Sequence, residues 1–275
     1  MKLSIYTFAK NAIFLDFHLV PMLKHHLPLA DEIVINEGYS TDETYERIRD
    51  LDPKIKIFRE EWGLGTKEQR SYATFKDHAR ARCTGDWCLL LDCDEFIPEW
   101  EFDPIREFLE TTPATIVPLR YINFYGNYRV YHAKPEVVRW PAIKYPLHRN
   151  LPDIEVWGDG SNVRVRGNDD PALVSQRSFP CHHFGFVRHP ARLRQKWRMQ
   201  HNLLHVDRPK RDLLPSFVYD LRPHDWQDPD FLEHLAIYPG PFVKAVREDA
   251  QEFVRDGLEL YHQLASGPGA GERAQ

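Results

Sequence analysis

Asp92 and Asp94 close the run Trp87-Cys88-Leu89-Leu90-Leu91-Asp92-Cys93-Asp94-Glu95. A short apolar run bounded by turn chemistry suits a buried strand, and carboxylates at its end are costly to desolvate without partners. Residues two apart in extended backbone point the same way, so the two carboxylates are expected to converge. Hard oxygen ligands at this spacing suit Mg2+ or Mn2+. An acidic turn after a core strand is the plain alternative. A second cluster, Cys181-His182-His183-Phe184-Gly185-Phe186-Val187-Arg188, offers a histidine for a metal shell and an arginine for phosphate. Adjacent histidines do not reveal by spacing which of the two faces inward, and a purely structural histidine is the alternative.

The elements that must position these groups follow from the pattern. Leu3 to Phe8 alternates and reads as a first strand, with a helical stretch from Ala12 to His26 that Pro21 kinks or splits. Glu32 to Asn36 is a second strand. Ser40 with Glu43 then fits a capping box opening a helix through Ile48. Lys54 to Phe58 is a third strand. After Gly63-Leu64-Gly65, Thr66 and Gln69 form another capping pair, for a helix to about Arg82. Strand–helix alternation over the first hundred residues predicts an α/β fold with a mostly parallel central sheet and helices on both faces. Ligands bind beyond the carboxyl ends of such strands, where the polar tails Thr7–Asn11, Asn36–Asp42 and Asp92–Glu95 meet. From Thr115 the pattern becomes irregular α+β. Strands are expected over Thr115–Ile122, Tyr128–His132, near Tyr145–Arg149 and over Val163–Arg166. Helical patterns cover Ala191–Leu204 and residues 241–264, and Ser266–Gln275 reads as a frayed tail.

Composition sets the bounds. The chain has 275 residues, 42% hydrophobic and 13% aromatic, an ordinary globular balance. No apolar stretch approaches the roughly 18 residues of a membrane span, and the N-terminus lacks a signal-peptide pattern. The four cysteines have neither disulfide nor zinc-knuckle spacing, so a cytoplasmic setting is expected. Net charge is −5, yet residues 112–211 hold 17 Lys and Arg against 7 Asp and Glu. A basic middle region beside an acidic metal-like motif suits a phosphate-bearing substrate; a solvated basic face is the alternative, and nothing points to nucleic acid.

Taken in order, these motifs resemble the inverting family 2 glycosyltransferases with the GT-A (nucleotide-diphospho-sugar transferase) fold. Thr7-Phe8-Ala9-Lys10-Asn11 is similar to the family's first strand tail. Asn36-Glu37-Gly38-Tyr39-Ser40-Thr41-Asp42-Glu43-Thr44 is similar to its Asp-x-Gly-Ser-x-Asp-x-Thr turn. Gln69-Arg70-Ser71 resembles its Arg-Asn element, and Thr84-Gly85-Asp86-Trp87 through Glu95 its Gly-Asp-Trp strand and Asp-x-Asp-Glu ending. The likeness covers residues 1 to 100 and thins afterwards. Ala12 stands where the family usually has Glu, and Glu37 and Tyr39 where Asp and a smaller residue are common.

The resemblance implies a metal-dependent transfer of a sugar from a nucleotide donor, a UDP-sugar favoured, to a hydroxyl on a saccharide or lipid-linked acceptor. The setting it implies is bacterial-type surface polysaccharide or glycoconjugate assembly. Asp94 is the implied ligand of Mn2+ or Mg2+, with Asp92 on ribose or metal-bound water and His183 completing the shell or binding the diphosphate. Thr7, Phe8, Ala9, Asn11, Glu37, Lys67, Arg70, Asp92, Cys93 and Arg188 are the implied nucleotide-sugar contacts. The general base of an inverting transfer is expected from Asp153, Glu155 or Asp159, with Asp159 and Glu155 the stronger candidates. Trp140 and Trp157 are candidates to stack on a sugar ring. The basic helix Arg192–Arg198 reads as a solvated face or, for a lipid-linked acceptor, as peripheral contact with an anionic membrane. Residues 1–114 are expected to form the donor half, 115–190 the acceptor side, 191–265 a helical extension and 266–275 a tail. Two other readings fit an Asp-x-Asp after an apolar strand: a haloacid-dehalogenase-like phosphatase, and a nucleotide-sugar binding protein without catalysis.

Overall fold

Strand alternation divides the chain into two packed layers. In β1 (Leu3–Ala9), Leu3 and Ile5 join one core cluster while Tyr6 joins the other. In β4 (Trp87–Leu90), Trp87 and Leu89 likewise oppose Cys88 and Leu90. The computed structural model describes residues 1–62, 72–133, 142–188, 192–193, 195–196 and 235–247. Between these strands lie α1 (Leu19–His26), β2 (Glu32–Glu37), α2 (Thr44–Ile48), β3 (Ile55–Arg59) and α3 (Tyr72–Arg80). Then come β5 (Glu95–Phe96), α4 (Phe102–Thr111), β6 (Ile116–Tyr125), β7 (Val130–His132), β8 (Ile143–Arg149), β9 (Ile154–Trp157), β10 (Asn162–Val165), β11 (Phe179–Phe186) and β12 (Leu235–Ile237).

The sheet runs β3-β2-β1-β4-β8-β6-β7-β12. Its first four members are mutually parallel, and β8 lies antiparallel to both β4 and β6. β11 runs parallel to β6 and antiparallel to the two-residue β5, with His183 opposite Glu95. One face is covered by α1, α2 and α4 through Leu19, Met22, Leu23, Ile48, Phe102, Ile105 and Leu109. The other carries α3 and the β9–β10 hairpin, packed through Ala73, Ala79, Ile154, Val156, Val163 and Val165. The result is the α/β GT-A arrangement, parallel in its N-terminal half. Among the described residues no helix is long and apolar enough to cross a membrane. All four cysteines are buried and unpaired.

Two local expectations are corrected. The helix expected from Ala12 begins at Leu19, so that Pro21 falls in the first turn, where no helical N–H partner is lost. Residues 11–17 instead form turns, with Asn11 and Asp16 at φ 51° and 57°. The Ser40–Glu43 capping box does not form. Ser40 Oγ accepts the Asn11 N–H at 2.8 Å, and Asp42 Oδ1 takes the Thr44 N–H at 2.9 Å. The Thr66–Gln69 capping pair lies outside the described residues.

At the far end of the sheet the Gly-Asp-Trp element has a packing explanation. A Cβ on Gly85 would sit 2.7 Å from Ser4 Oγ, which accepts the Gly85 N–H at 2.8 Å. Ser4 Oγ in turn donates to the buried Glu32 carboxylate at 2.6 Å, which also takes the Thr84 hydroxyl at 2.9 Å. This element fixes the start of β4 and thereby where its acidic end emerges.

Candidate functional site

The carboxyl ends of β1, β2 and β4 form one edge, built by cross-links between their tails. Lys10 Nζ donates to the Gly38 carbonyl. Asn11 Oδ1 accepts the Thr41 N–H at 2.8 Å, and the Cys93 thiol donates to the Phe8 carbonyl at 3.2 Å. Trp62 lies between Phe8 and Phe75, with ring centroids 5.0 and 4.9 Å away. A Cβ on Gly38 would meet the Trp62 ring at 2.7 Å, which is why that turn needs glycine.

Asp92 and Asp94 sit on a turn and are paired with different cations. The chain turns after Asp92: the Glu95 N–H donates to the Asp92 carbonyl at 3.1 Å and the Asp92 N–H to Glu95 Oε2 at 2.9 Å. Glu95 is buried and held by Lys144 at 3.0 Å and the Tyr121 hydroxyl at 3.1 Å, so it staples the turn. Asp92 keeps the Cys88–Leu90 side and meets Lys76 Nζ of α3 at 2.5 Å. Asp94 has its own partners. Its Oδ2 accepts from Arg188 at 2.8 Å and Lys196 at 3.1 Å, while its Oδ1 lies 3.6 Å from His183 Nε2.

The electrostatics of Asp94 follow from these neighbours. Burial alone would raise its carboxyl, but Lys196 and Arg188 overcome that and hold it well below the usual carboxylate range. Burial lowers Lys196 to about 8, aided by Arg188 and opposed by Asp94. Burial likewise lowers His183 to about 3, so the imidazole is neutral. Its Nδ1 donates to Asn123 Oδ1 at 2.7 Å, which leaves the Nε2 lone pair facing the Asp94 carboxylate. Two acceptors turned toward each other fit a cation between them, and an outer hydrogen bond that fixes the tautomer is the usual partner of a metal-ligating histidine. Among the described residues no three His, Cys, Asp or Glu side chains close a metal shell. Asp94 and His183 supply two candidate ligands, and a cation there would need its remaining positions filled by ligand or water oxygens.

Gly185 makes the histidine pose feasible. A Cβ there would lie 2.3 Å from His183 Nε2. We expect Gly185→Ala to displace the ring, weaken divalent-metal affinity about 10- to 100-fold and cost about 1–3 kcal/mol of stability. Isothermal titration with Mn2+ and a thermal melt check both effects.

The other candidates are distributed unevenly. Thr7 and Ala9 are buried and Phe8 half-buried at the β1 tail, with Asn11 beside them. Glu37 is fully buried, its oxygens taken by the Ser40 N–H at 2.7 Å and Arg59 Nε at 2.6 Å. Arg59 is sandwiched between Tyr39 and Tyr45, 4.4 and 4.3 Å from their ring centroids, so the unusual Glu37 and Tyr39 lock their own turn. Arg188 is buried, bonded to the Leu15 carbonyl as well as to Asp94. His182 turns from the site toward the Tyr238 hydroxyl at 3.1 Å, so His183 is the inward-facing member of the pair. Lys67, Arg70 and Trp140 lie outside the described residues.

Glu155 is held by two arginines. It sits on the outer face of the β9–β10 hairpin, bonded to Arg164 at 2.7 Å and Arg166 at 3.2 Å. Those bonds lower its pKa and weaken it as a base. Asp159 sits at the hairpin tip, its Oδ1 accepting the Ser161 N–H at 3.0 Å. The neighbouring Gly160 carbonyl accepts from Lys76 at 2.8 Å, which brings the tip to the Asp92 edge. Trp157 is half exposed beneath the Arg164 guanidinium. In the basic segment, Arg192 stacks on Phe14 at 4.4 Å and Lys196 reaches Asp94, so these two line the edge instead of forming a solvated face.

Sequence reasoning passed over Lys76, Lys144, Tyr121, Asn123 and Trp62, and left Lys196 unassigned. The available signal was the excess of carboxylates over cations in the Asp92–Glu95 turn, which requires buried partners from elsewhere.

The profile of glycosyl transferase family 2 matches residues 22–165, more than half of the chain. The chain belongs to this family. It is a nucleotide-sugar glycosyltransferase by descent, which sets aside the phosphatase reading. The matched span runs from α1 to the end of β10, so the β1 tail and the His183–Arg188 segment join the site through the fold. No curated protein matches the chain. Among solved structures, Staphylococcus aureus TarS 1–349 in complex with UDP-GlcNAc is 15% identical, with a TM-score of 0.44, covering 96% of this chain and 88% of that one. Glucosyl-3-phosphoglycerate synthase from Mycobacterium tuberculosis with Mn2+, UDP and glucosyl-3-phosphoglycerate is 16% identical, with a TM-score of 0.47, covering 74% of this chain and 78% of that one.

Proposed function

We propose that the enzyme transfers a sugar from a UDP-sugar to a hydroxyl of a saccharide or lipid-linked saccharide, with Asp94 and His183 holding Mn2+ or Mg2+. The observation that carries this reading is the pair of facing acceptors, Asp94 Oδ1 and His183 Nε2, 3.6 Å apart. A divalent cation there, when bound, would neutralise charge on the departing diphosphate. Arg188 and Lys196 place two cations on one carboxylate oxygen, and that surplus positive charge is directed at the phosphates. Asp92 and the β1 tail take the nucleoside side, with residues 1–114 as donor half and 115–190 as acceptor side. Asp159, at the hairpin tip, takes the proton of the acceptor hydroxyl. The acceptor oxygen then bonds to the anomeric carbon as the bond to the diphosphate breaks, which inverts that centre. The setting that goes with this reading is assembly of a surface polysaccharide or glycoconjugate.

A thermal-shift panel of sugar nucleotides with and without Mn2+ tests the donor assignment, because a ligand bound only by the folded state raises the melting temperature. At a hundredfold excess over Kd the stabilisation is about 2.7 kcal/mol. The expected result is a Mn2+-dependent shift with UDP and its sugars; no shift with any uridine nucleotide contradicts it.

A further inference from the structure

Lys76 is the least expected residue at this edge. It lies in the middle of α3 and is 2% exposed, with no carboxylate of its own helix as partner for its ammonium. The ammonium contacts three separate parts of the fold. Asp92 Oδ1 of the β4 tail lies 2.5 Å away, the Gly160 carbonyl of the hairpin tip 2.8 Å, and the Phe8 ring centroid of the β1 tail 4.7 Å. The Gly160 carbonyl takes a hydrogen bond from the ammonium, Asp92 an ion pair and the Phe8 ring a cation–π contact.

The hairpin side of this junction is tightly specified. Gly160 has φ +89°, and a Cβ there would lie 3.0 Å from the Ala73 nitrogen, so the tip rests on the first turn of α3. Lower down, the hairpin is anchored without Lys76. Val156 N–H donates to Asp77 Oδ1 at 3.2 Å, and Val156 and Val163 are buried against α3. Removing the ammonium therefore frees the tip while the hairpin stays attached. The tip carries Asp159 and ends beside Asn162, whose Oδ1 accepts the Tyr145 N–H of β8 at 2.9 Å.

We propose that Lys76 is a positioning residue that couples Asp92 to the β9–β10 tip, so that the acceptor-side wall is set in register with the bound donor. This rests on the assignment of Asp92 to the donor and of the hairpin tip to the acceptor side. A contact that draws on Asp92 redistributes the Lys76 ammonium between its two oxygen partners, and the Gly160 carbonyl moves with it. The coupling path is a single buried side chain with one partner on each substrate's side.

Hydrogen exchange over residues 157–162 tests the coupling in the full chain. Without nucleotide, Lys76→Met should speed exchange there about tenfold, the size expected for losing one charge-assisted hydrogen bond. Asp92→Asn should slow it, because the ammonium is then left to the Gly160 carbonyl alone, and the double variant should exchange as Lys76→Met does. Exchange at wild-type rate or faster in Asp92→Asn overturns the proposal. With 1 mM UDP and Mn2+, the wild-type tip should slow, while Lys76→Met still binds UDP by calorimetry yet shows no slowing. Slowing of equal size in both proteins also overturns it. Should UDP fail to bind the wild-type enzyme, the donor assignment fails, and the nucleotide-free comparison still decides the coupling. Should Lys76→Met not fold, Gly160→Ala serves in its place. It keeps Lys76 and Asp92 but lifts the tip, so UDP binding should persist and the tip's response to it should vanish; a response of wild-type size would count against the coupling.

Discussion

Asp94→Ala should abolish sugar transfer and destabilise the fold by about 3–5 kcal/mol, the usual cost of removing one partner of a buried ion pair. The magnitude follows from what remains. Arg188 has no exposed side-chain surface and Lys196 only 9%, and both direct their charge at Asp94 Oδ2. Without that carboxylate two cations are buried together with their direct counter-charge gone, a far worse state than water-exposed charges. Lys196 is the group able to relieve the strain by losing its proton, since burial and Arg188 already hold it near 8. Asp94 itself raises Lys196, so in the variant that proton leaves more easily still and the loss of stability should shrink as pH rises toward 8. A calorimetric melt of Asp94→Ala at pH 7 and pH 9 checks this, and a donor-hydrolysis assay checks the activity. Retained activity would place the donor's phosphates elsewhere.

A second large effect is acid lability set by buried neutral histidines. His148 donates from Nδ1 to the Arg149 carbonyl at 2.8 Å and accepts from the Tyr6 hydroxyl at 3.0 Å; burial lowers it to about 4. His26 donates from Nδ1 to the Met22 carbonyl at 2.8 Å and accepts the Ile97 N–H at 3.0 Å, with burial and His25 lowering it well below its ordinary value. A histidine lowered in the folded state binds its proton in the unfolded chain first. The stabilisation is complete above the ordinary value near 6.5 and is lost as pH falls from there toward the folded value. Each such group costs about 1.4 kcal/mol per pH unit in that window. For His148 the total by pH 4 is on the order of 3 kcal/mol. Denaturant titrations at pH 7.5, 6 and 5 should show stability falling steeply below pH 6.5, and His148→Gln should flatten the slope. A pH-independent midpoint across that range contradicts the assignment.

The donor half of the fold was legible because period-two alternation survives burial on both faces: Leu3 and Ile5 against Tyr6, Trp87 and Leu89 against Cys88 and Leu90. That three polar tails share an edge followed from parallel strands alone. What escaped the sequence were contacts between residues far apart in it. Lys196 reaches Asp94 across 102 positions, and Lys144 reaches Glu95 across 49. A lysine on a helix reads as a solvated face until the carboxylate it serves is known. The helix α4 went unread although Phe102, Ile105 and Leu109 form its buried stripe, since Pro104 within its first turn breaks the local signal. Ser40 matched a capping pattern, yet its hydroxyl is worth more to the β1 tail, where it meets the Asn11 N–H at a left-handed residue.

The central claim is that Asp94 and His183 hold a divalent cation at the donor's diphosphate. Anomalous diffraction from crystals soaked with UDP and Mn2+ tests it most directly. The account predicts a manganese peak about 2.1–2.2 Å from both Asp94 Oδ1 and His183 Nε2, in contact with diphosphate oxygens. UDP density at this edge without such a peak, or manganese bound away from both residues, would contradict it.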